Sequence, residues 1–307
     1  MKRKNTQISR QALCAGEALI DLVSDEHGKL TPCLGGAVYN LARALALQGV
    51  GTGYLNPLSR DLYGTQLRAG LEAAGVAVFE ASPVLESTSL AVVNLDADGK
   101  AIYAFYREGV ADRKTSSDQL NHLSRHADVQ IACTGCLALS PDDAKSYLPW
   151  LTEQKRLGRT ICIDVNVRAA VMKDDAAYKE NIMAACALAD IIKASDDDLA
   201  YLDISAEAML TQSSAKIFLL TLGSQGAQLL THQGLRLTAP APQGLQLVDT
   251  VGAGDCFFAG FLAHWLNDTS DLQAALDHAV SSASINCTRL GCQPPTWDEA
   301  LALSKPV

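Results

Sequence analysis

Along most of the chain, short runs of consecutive apolar residues alternate with longer stretches in which apolar positions recur every three or four residues. The first kind reads as strands buried on both faces, the second as helices buried along one side. Ala12 to Ala15, Val129 to Cys133, Thr160 to Ile163, Ile191 to Lys193 and Ile217 to Thr221 are expected strands. Val38, Leu41, Ala42 and Leu45, spaced i, i+3, i+4 and i+7, mark a helix, and further helices are expected at about 141–157 and 176–189. Phe257, Phe258, Phe261, Leu262, Trp265 and Leu266 recur in pairs every four residues, so another helix should begin near Asp255. Leu245 to Val248 is apolar enough for a short buried strand before it. Such alternation implies an α/β fold, a central and mostly parallel sheet with helices on both faces and sites at the strands' C-terminal ends. The rhythm breaks at Thr88 to Arg107, where apolar and polar residues alternate around Asp98-Gly99, a hairpin signal. A small β element therefore interrupts the body. No repeat or linker divides the chain, so residues 11–307 read as one domain.

Composition narrows the class. Mean hydropathy of +0.08 and 48% hydrophobic residues fit a soluble globular protein. No apolar run approaches a membrane span, and the start MKRKNTQISRQ lacks the apolar stretch of a signal peptide, so a cytoplasmic location is expected. Residues 1–10 read as a flexible tail, its Lys2-Arg3-Lys4 cluster too short for a nucleic-acid arm. A net charge of −9 gives no long-range attraction for nucleic acid or anionic membrane, so neither is expected as a partner and any anionic ligand must be held locally. Nine cysteines at irregular spacings argue for reduced thiols, and Cys133-Thr-Gly-Cys136 reads as strand-end packing.

The most informative stretch is LVDTVGAGDCFFAGFLAHW, Leu247 to Trp265. Gly252 and Gly254 let backbone N–H groups approach a bound group, and a helix N-terminus adds partial positive charge. An anion fits there. Asp255 has two readings: a helix N-cap, or a base that takes a proton from an attacking hydroxyl. A loop that only bound an anion would gain nothing from a carboxylate beside its ligand, so phosphate chemistry is the preferred reading. A Walker A loop is excluded, because neither Gly28-Lys29 nor Gly99-Lys100 continues with Ser or Thr. The dinucleotide pattern GxGxxG fails at Phe257, and no GxSxG occurs.

DTVGAGDCF resembles the C-terminal signature of the PfkB (ribokinase-like) carbohydrate kinases, and GGAVYNLARALALQG, Gly35 to Gly49, resembles their N-terminal signature. GEALID, SRDLYG, LDADGKAIYAFYR, DVNVR, KASDDD, TLGSQG and TRLGCQP follow in the family's order, and the fructokinase-like subgroup is the most similar. The resemblance implies a ribokinase-like α/β fold with a small β lid, built from segments at about 17–34 and 87–110, through which homodimers could form. It implies ATP-dependent phosphorylation of a sugar hydroxyl, with Asp255 as base and the backbone of Gly252, Ala253, Gly254 and Asp255 as anion hole. Asp21, Gly35, Gly36 and Asn40 would bind sugar hydroxyls, with Arg107 and Arg168 as further substrate contacts or, alternatively, exposed salt bridges. Lys193 and Ser195 would reach the nucleotide phosphates and Asp198 the magnesium ion through water. The family's Asn-x-x-Glu is here Ser195-Asp-Asp-Asp198, and Ser195 also suits a helix N-cap. Thr221, Gly223 and Gly226 resemble the nucleotide-binding turn, with an ordinary strand-to-strand turn as the alternative. Asp249, Val251 and Gly291 match the site of a monovalent cation, so potassium is an expected activator. Fructose is the expected substrate. The fructokinase-like GGAPAN is here GGAVYN, which places Tyr39 either beside the sugar or in helix packing. 2-Keto-3-deoxygluconate and a riboside or nucleoside are alternative substrates, and a non-catalytic sugar or nucleotide sensor is the alternative of a different class.

Overall fold

The structure, a computed structural model, describes residues 11–24, 27–80, 82–95, 101–125, 128–169 and 172–304. The segment read as a flexible tail and the Asp98-Gly99 turn lie outside the described residues.

In chain order the strands are β1 (Ala12–Cys14), β2 (Leu19–Ser24), β3 (Leu30–Gly35), β4 (Thr52–Tyr54), β5 (Ala77–Val78), β6 (Ser89–Leu95) and β7 (Ala101–Tyr106). They continue with β8 (Ile131–Gly135), β9 (Thr160–Asp164), β10 (Ile191–Ser195), β11 (Ile217–Thr221), β12 (Ala227–Thr231) and β13 (Arg236–Ala239). The helices are α1 (Ala37–Leu47), α2 (Leu62–Ala73), α3 (Ser117–Leu123), α4 (Ala144–Arg156) and α5 (Asp175–Leu188). They end with α6 (Asp196–Leu202), α7 (Ala206–Gln212), α8 (Ala253–Asn267), α9 (Leu272–Asn286) and α10 (Trp297–Ser304).

Nine strands form the main sheet in the order β13-β12-β11-β10-β9-β8-β1-β4-β5. Pairing is parallel from β11 through β5, and β12 and β13 add an antiparallel edge. β1 shows why the sheet needs two covers: Ala12 and Cys14 face one apolar cluster, Leu13 the other. α1, α8 and α9 close the first face with Val38, Leu41, Leu45, Phe258, Phe261 and Leu276. α4, α5 and α7 close the second with Trp150, Leu151, Ile182 and Met209. Burial of each such side chain contributes about 1.5–3 kcal/mol, so both faces are strongly specified.

A separate four-stranded sheet has the order β3-β2-β6-β7. β3 runs directly into α1 through Gly36, which holds φ 104. This small sheet is therefore tied to the main body at the head of that helix.

One local expectation needs correction. Leu245 to Val248 forms no strand; Leu247 and Val248 are exposed, and the Val248 N–H donates to the Cys287 carbonyl instead. Three apolar residues around Gln246, without a strand partner, do not make a ladder. α8 begins at Ala253, with Gly252 as N-cap, so Asp255 is the third residue of the helix and not its cap. Cys133 sits in β8 in register with Cys14 and Cys162, and Cys136 follows the strand end; both are buried free thiols. Among the described residues no helix is long and apolar enough to cross a membrane.

Candidate active site

At the C-terminal ends of β1, β8, β9 and β10 lies a cavity of about 260 Å³. Its wall carries Glu17, Asp21, Gly36, Asn40, Cys136, Asn166, Arg168 and Lys193, and one side is the turn from Thr250 to Asp255. The local sequence explains the turn. Gly252 has φ 75, a left-handed backbone that suits glycine, and a Cβ there would lie 2.3 Å from Cys292 Sγ. A Cβ on Gly254 would lie 2.8 Å from Lys193 Nζ, so this glycine lets the lysine rest against the first turn of α8.

Asp255 is buried, and its carboxylate accepts a hydrogen bond of 3.0 Å from Asn40 Nδ2. Burial, then the charge of Asp164, raises its pKa to about 7, against the lowering effects of Asn40, Lys193 and Arg168. Lys193 Nζ is buried 3.0 Å from Asp164 Oδ1. Burial alone would lower the lysine pKa, but Asp164, Asp198 and Asp255 together raise it, so the ammonium is retained. Burial pushes the Asp164 carboxyl up, and Lys193 opposes the shift.

The other wall is built by the head of α1. Gly36 caps the helix without a side chain, and Glu17 Oε1 accepts from Ala37 N at 2.9 Å in place of a local cap. A Cβ on Gly36 would meet the Glu17 carbonyl oxygen at 2.7 Å. A Cβ on Gly35 would fall 2.1 Å from Asp21 Oδ2, so this glycine makes room for the carboxylate. Burial raises the Asp21 pKa to about 6, with Arg168 opposing. Arg168 Nη1 donates to Asn166 Oδ1 at 2.6 Å and to the Val167 carbonyl at 2.8 Å. Cys136 (φ 53) and Asn166 (φ 37) are non-glycine residues with left-handed backbone, and both line the cavity.

The structure thus brings Asp21, Gly36, Asn40, Arg168, Lys193, Gly252, Ala253, Gly254 and Asp255 to one cavity, with Gly35 beside it. Arg107 is close enough to Glu17 for their charges to interact but does not line the cavity. Nor is it in an exposed salt bridge: its guanidinium is buried between Asp112 (3.1 Å) and Asp143 (3.0 Å). Ser195 is the N-cap of α6 in a capping box with Asp198. The Asp198 oxygens accept from Ser195 N and Val167 N, both at 2.7 Å. Thr221 pairs with Ser195 at the ends of β11 and β10, and Gly223 (φ 55) and Gly226 (φ 92) shape the turn into β12. Asp249 ties two others of its group together, accepting from Val251 N at 3.0 Å and from Gly291 N at 2.8 Å. Tyr39 is fully buried in packing, with its hydroxyl donating to the Leu67 carbonyl, and is not on the cavity wall.

Sequence reasoning gave no part in the site to Glu17, Phe105, Cys136, Asn166 or Asp164, although all but Asp164 line the cavity and Asp164 holds Lys193. For Glu17 a signal existed: Ala12 to Leu22 is apolar apart from Gly16, Glu17 and Asp21, and a buried segment carries acids for a reason.

The fold is ribokinase-like. A double mutant of the fructokinase from Vibrio cholerae O395, solved with fructose, ADP and potassium, superimposes with a TM-score of 0.80 over 97% of this chain and 99% of that one, at 22% identity. The chain belongs to the pfkB family of carbohydrate kinases, whose profile, described as pfkB family carbohydrate kinase, matches residues 9–299. Among curated relatives, a fructokinase of Rhizobium leguminosarum bv. trifolii is 33% identical over 82% of this chain and 78% of its own length. An aminoimidazole riboside kinase of Salmonella typhimurium is 29% identical over 88% of this chain and 85% of its own length. The protein is accordingly an enzyme, a carbohydrate kinase.

Proposed function

We propose that this kinase transfers the γ-phosphoryl group of ATP to a hydroxyl of a neutral ketose, with fructose as substrate and Asp255 as the base. The observation that carries the reading is the placement of Asp255, buried at the head of α8, held by Asn40 and beside the glycine turn. A carboxyl poised near neutrality takes up the proton of an attacking hydroxyl efficiently. The positive end of α8 and the backbone from Gly252 to Gly254 suit the charge on the transferred group. Lys193 lies against the same turn and offsets the negative charge of Asp164 and Asp255.

Two buried side-chain acceptors on the cavity wall have no hydrogen-bond partner, Asn40 Oδ1 and Glu17 Oε2. An occupant must bring donors to satisfy them, and sugar hydroxyls do so. 2-Keto-3-deoxygluconate would bring a carboxylate to a wall where Glu17, Asp21 and Asp255 outnumber Arg168 and Lys193, so the neutral ketose is the first reading. A riboside is the second reading, resting on the Salmonella relative. A non-catalytic sensor would need no buried base beside an anion-binding turn.

ATP would lie beyond the cavity along the ends of β10 and β11, where Ser195, Thr221, Gly223 and Gly226 cluster. Magnesium, which would screen the phosphate charge, would be reached through water from Asp198, whose oxygens each accept one backbone N–H and keep a free lone pair. Potassium would sit against Asp249, Val251 and Gly291, where the Asp249 carboxylate already draws the two backbone segments together. The small sheet would serve as the lid, and its exposed Val23, Leu30 and Tyr106 suit a homodimer contact.

The test is a coupled ADP-release screen of ketohexoses, ketodeoxy acids and nucleosides with magnesium and potassium present. Fructose should give the highest kcat/KM. A nucleoside or ketodeoxy acid preferred over every ketohexose would overturn the substrate assignment.

A further inference from the structure

We infer that Glu17 is a specificity-determining substrate ligand, whose Oε2 accepts a hydrogen bond from a sugar hydroxyl other than the one phosphorylated. The inference rests on the reading of the cavity as a sugar site.

Glu17 is 1% exposed and lines the cavity. Its two oxygens have different circumstances. Oε1 accepts from Ala37 N and so closes the head of α1, while Oε2 is buried with no hydrogen-bond partner. Capping the helix requires one acceptor, which a glutamine would supply as well. An anionic carboxylate with an unanswered oxygen is costly in a buried wall, so the second oxygen calls for a donor that arrives with the ligand. Arg107 acts on Glu17 through its charge but gives Oε2 no hydrogen bond, its two terminal nitrogens being held by Asp112 and Asp143. Burial raises the Glu17 pKa to about 7 against the lowering effects of Arg107 and the Cys136 thiol, so the acceptor form prevails above neutrality and the kinetics are read at pH 8.

Its neighbours fit the same role. Asn40 Oδ1, the other unpartnered acceptor, is carried by the α1 turn that Glu17 caps, and Asp21 shares the wall. The phosphorylated hydroxyl belongs to Asp255 beside the glycine turn, whereas Glu17 comes from the segment between β1 and β2. A second hydroxyl of the same sugar is thus the natural donor. Such a contact discriminates strongly, because a sugar lacking that hydroxyl, or holding it in the other configuration, leaves the buried carboxylate oxygen unpaired.

The test uses the purified full chain and the sugar that wild type phosphorylates best, so the choice between ketose and riboside does not affect it. Glu17→Gln keeps the size and an oxygen for Ala37 N but removes the anionic acceptor. The KM for sugar should rise by about tenfold to a hundredfold, the range for a hydrogen bond to a charged group, with a much smaller change in the KM for ATP and in kcat. Monodeoxy analogues supply the decisive comparison. For one of them the difference between variant and wild type should vanish, while for the others it persists. Equal sugar KM in the two proteins, or the same penalty on every analogue, overturns the inference. Glu17→Asp, which withdraws the carboxylate by one methylene, gives the same readout should the glutamine variant fail to fold. Failure of the wild type to phosphorylate any sugar would instead overturn the functional reading on which this one rests.

Discussion

Asp255→Asn should make this enzyme slower and more stable at the same time. The folded protein raises the pKa of this carboxyl from 3.8 to about 7, so the native state binds its proton more tightly than the unfolded chain does. Stability from this group is therefore greatest at low pH and is lost as pH rises from about 4 to about 7. A shift of roughly three units, at 1.36 kcal/mol each, amounts to about 4 kcal/mol of destabilisation carried by the ionised group at pH 8. Asparagine has no charge to desolvate, and its Oδ1 still accepts from Asn40 Nδ2. The variant should then melt several degrees above wild type at pH 8, and the gap should narrow toward pH 5, where the wild-type carboxyl is protonated. Turnover should fall by about 10²–10⁴-fold, the usual contribution of a positioned base, while ATP affinity is held or slightly improved. In wild type, kcat/KM should decline about tenfold per pH unit below about 7 as the base is protonated. The assays are saturating ADP-release kinetics and thermal melts at pH 5 and pH 8 on both proteins. Wild-type turnover in Asp255→Asn would refute the catalytic role, and equal melting at pH 8 would refute the account of its buried charge.

Tyr39→Phe should leave the KM for sugar unchanged and lower stability by about 1 kcal/mol, the value of the lost bond to the Leu67 carbonyl; a large rise in sugar KM would place Tyr39 at the substrate after all. Asp198→Ala should lower stability, by about 1 kcal/mol for the capping box alone, and raise the magnesium concentration needed for half-maximal rate. A loss of stability with unaltered magnesium dependence would leave Asp198 as a cap only. Potassium should raise the rate over tetramethylammonium at equal ionic strength, and a flat response would remove the cation from the group around Asp249. Gly36→Ala, at φ 104 with its Cβ aimed 2.7 Å from the Glu17 carbonyl, should raise the sugar KM more than the ATP KM, read from the same kinetics.

The layered α/β body was legible because its evidence is periodic. Ile191 to Lys193 or Val38 to Leu45 announces its burial by spacing alone, and the strands and helices fall there. Residues whose role depends on partners distant in sequence were less so. The glycine turn pointed to Asp255, yet the difference between a cap and a buried carboxylate lay in the three positions from Gly252 to Asp255 and in Asn40, on another element. Arg107 follows a strand of the small sheet, a plausible place to touch a ligand, but Asp112 and Asp143 compete for it from segments whose approach no local pattern encodes. Leu245 to Val248 had the composition of a strand and no neighbour to pair with. Glu17 was visible as an acid among apolar residues, but its task at the head of α1 needs the fold.

The hydrogen bond between Asn40 and Asp255 joins positions 215 residues apart. During synthesis, α1 emerges early, and the strands that flank β1 follow well before α8 and α9. Until those two helices arrive, α1 alone covers its face of the sheet with Val38, Leu41 and Leu45, so a ribosome-bound chain presents an apolar surface of the kind that holding chaperones recognise. A chain interrupted before residue 253 would therefore be lost to aggregation or proteolysis and would not accumulate as a partial enzyme, because the last helices to appear both seal the core and deliver Asp255.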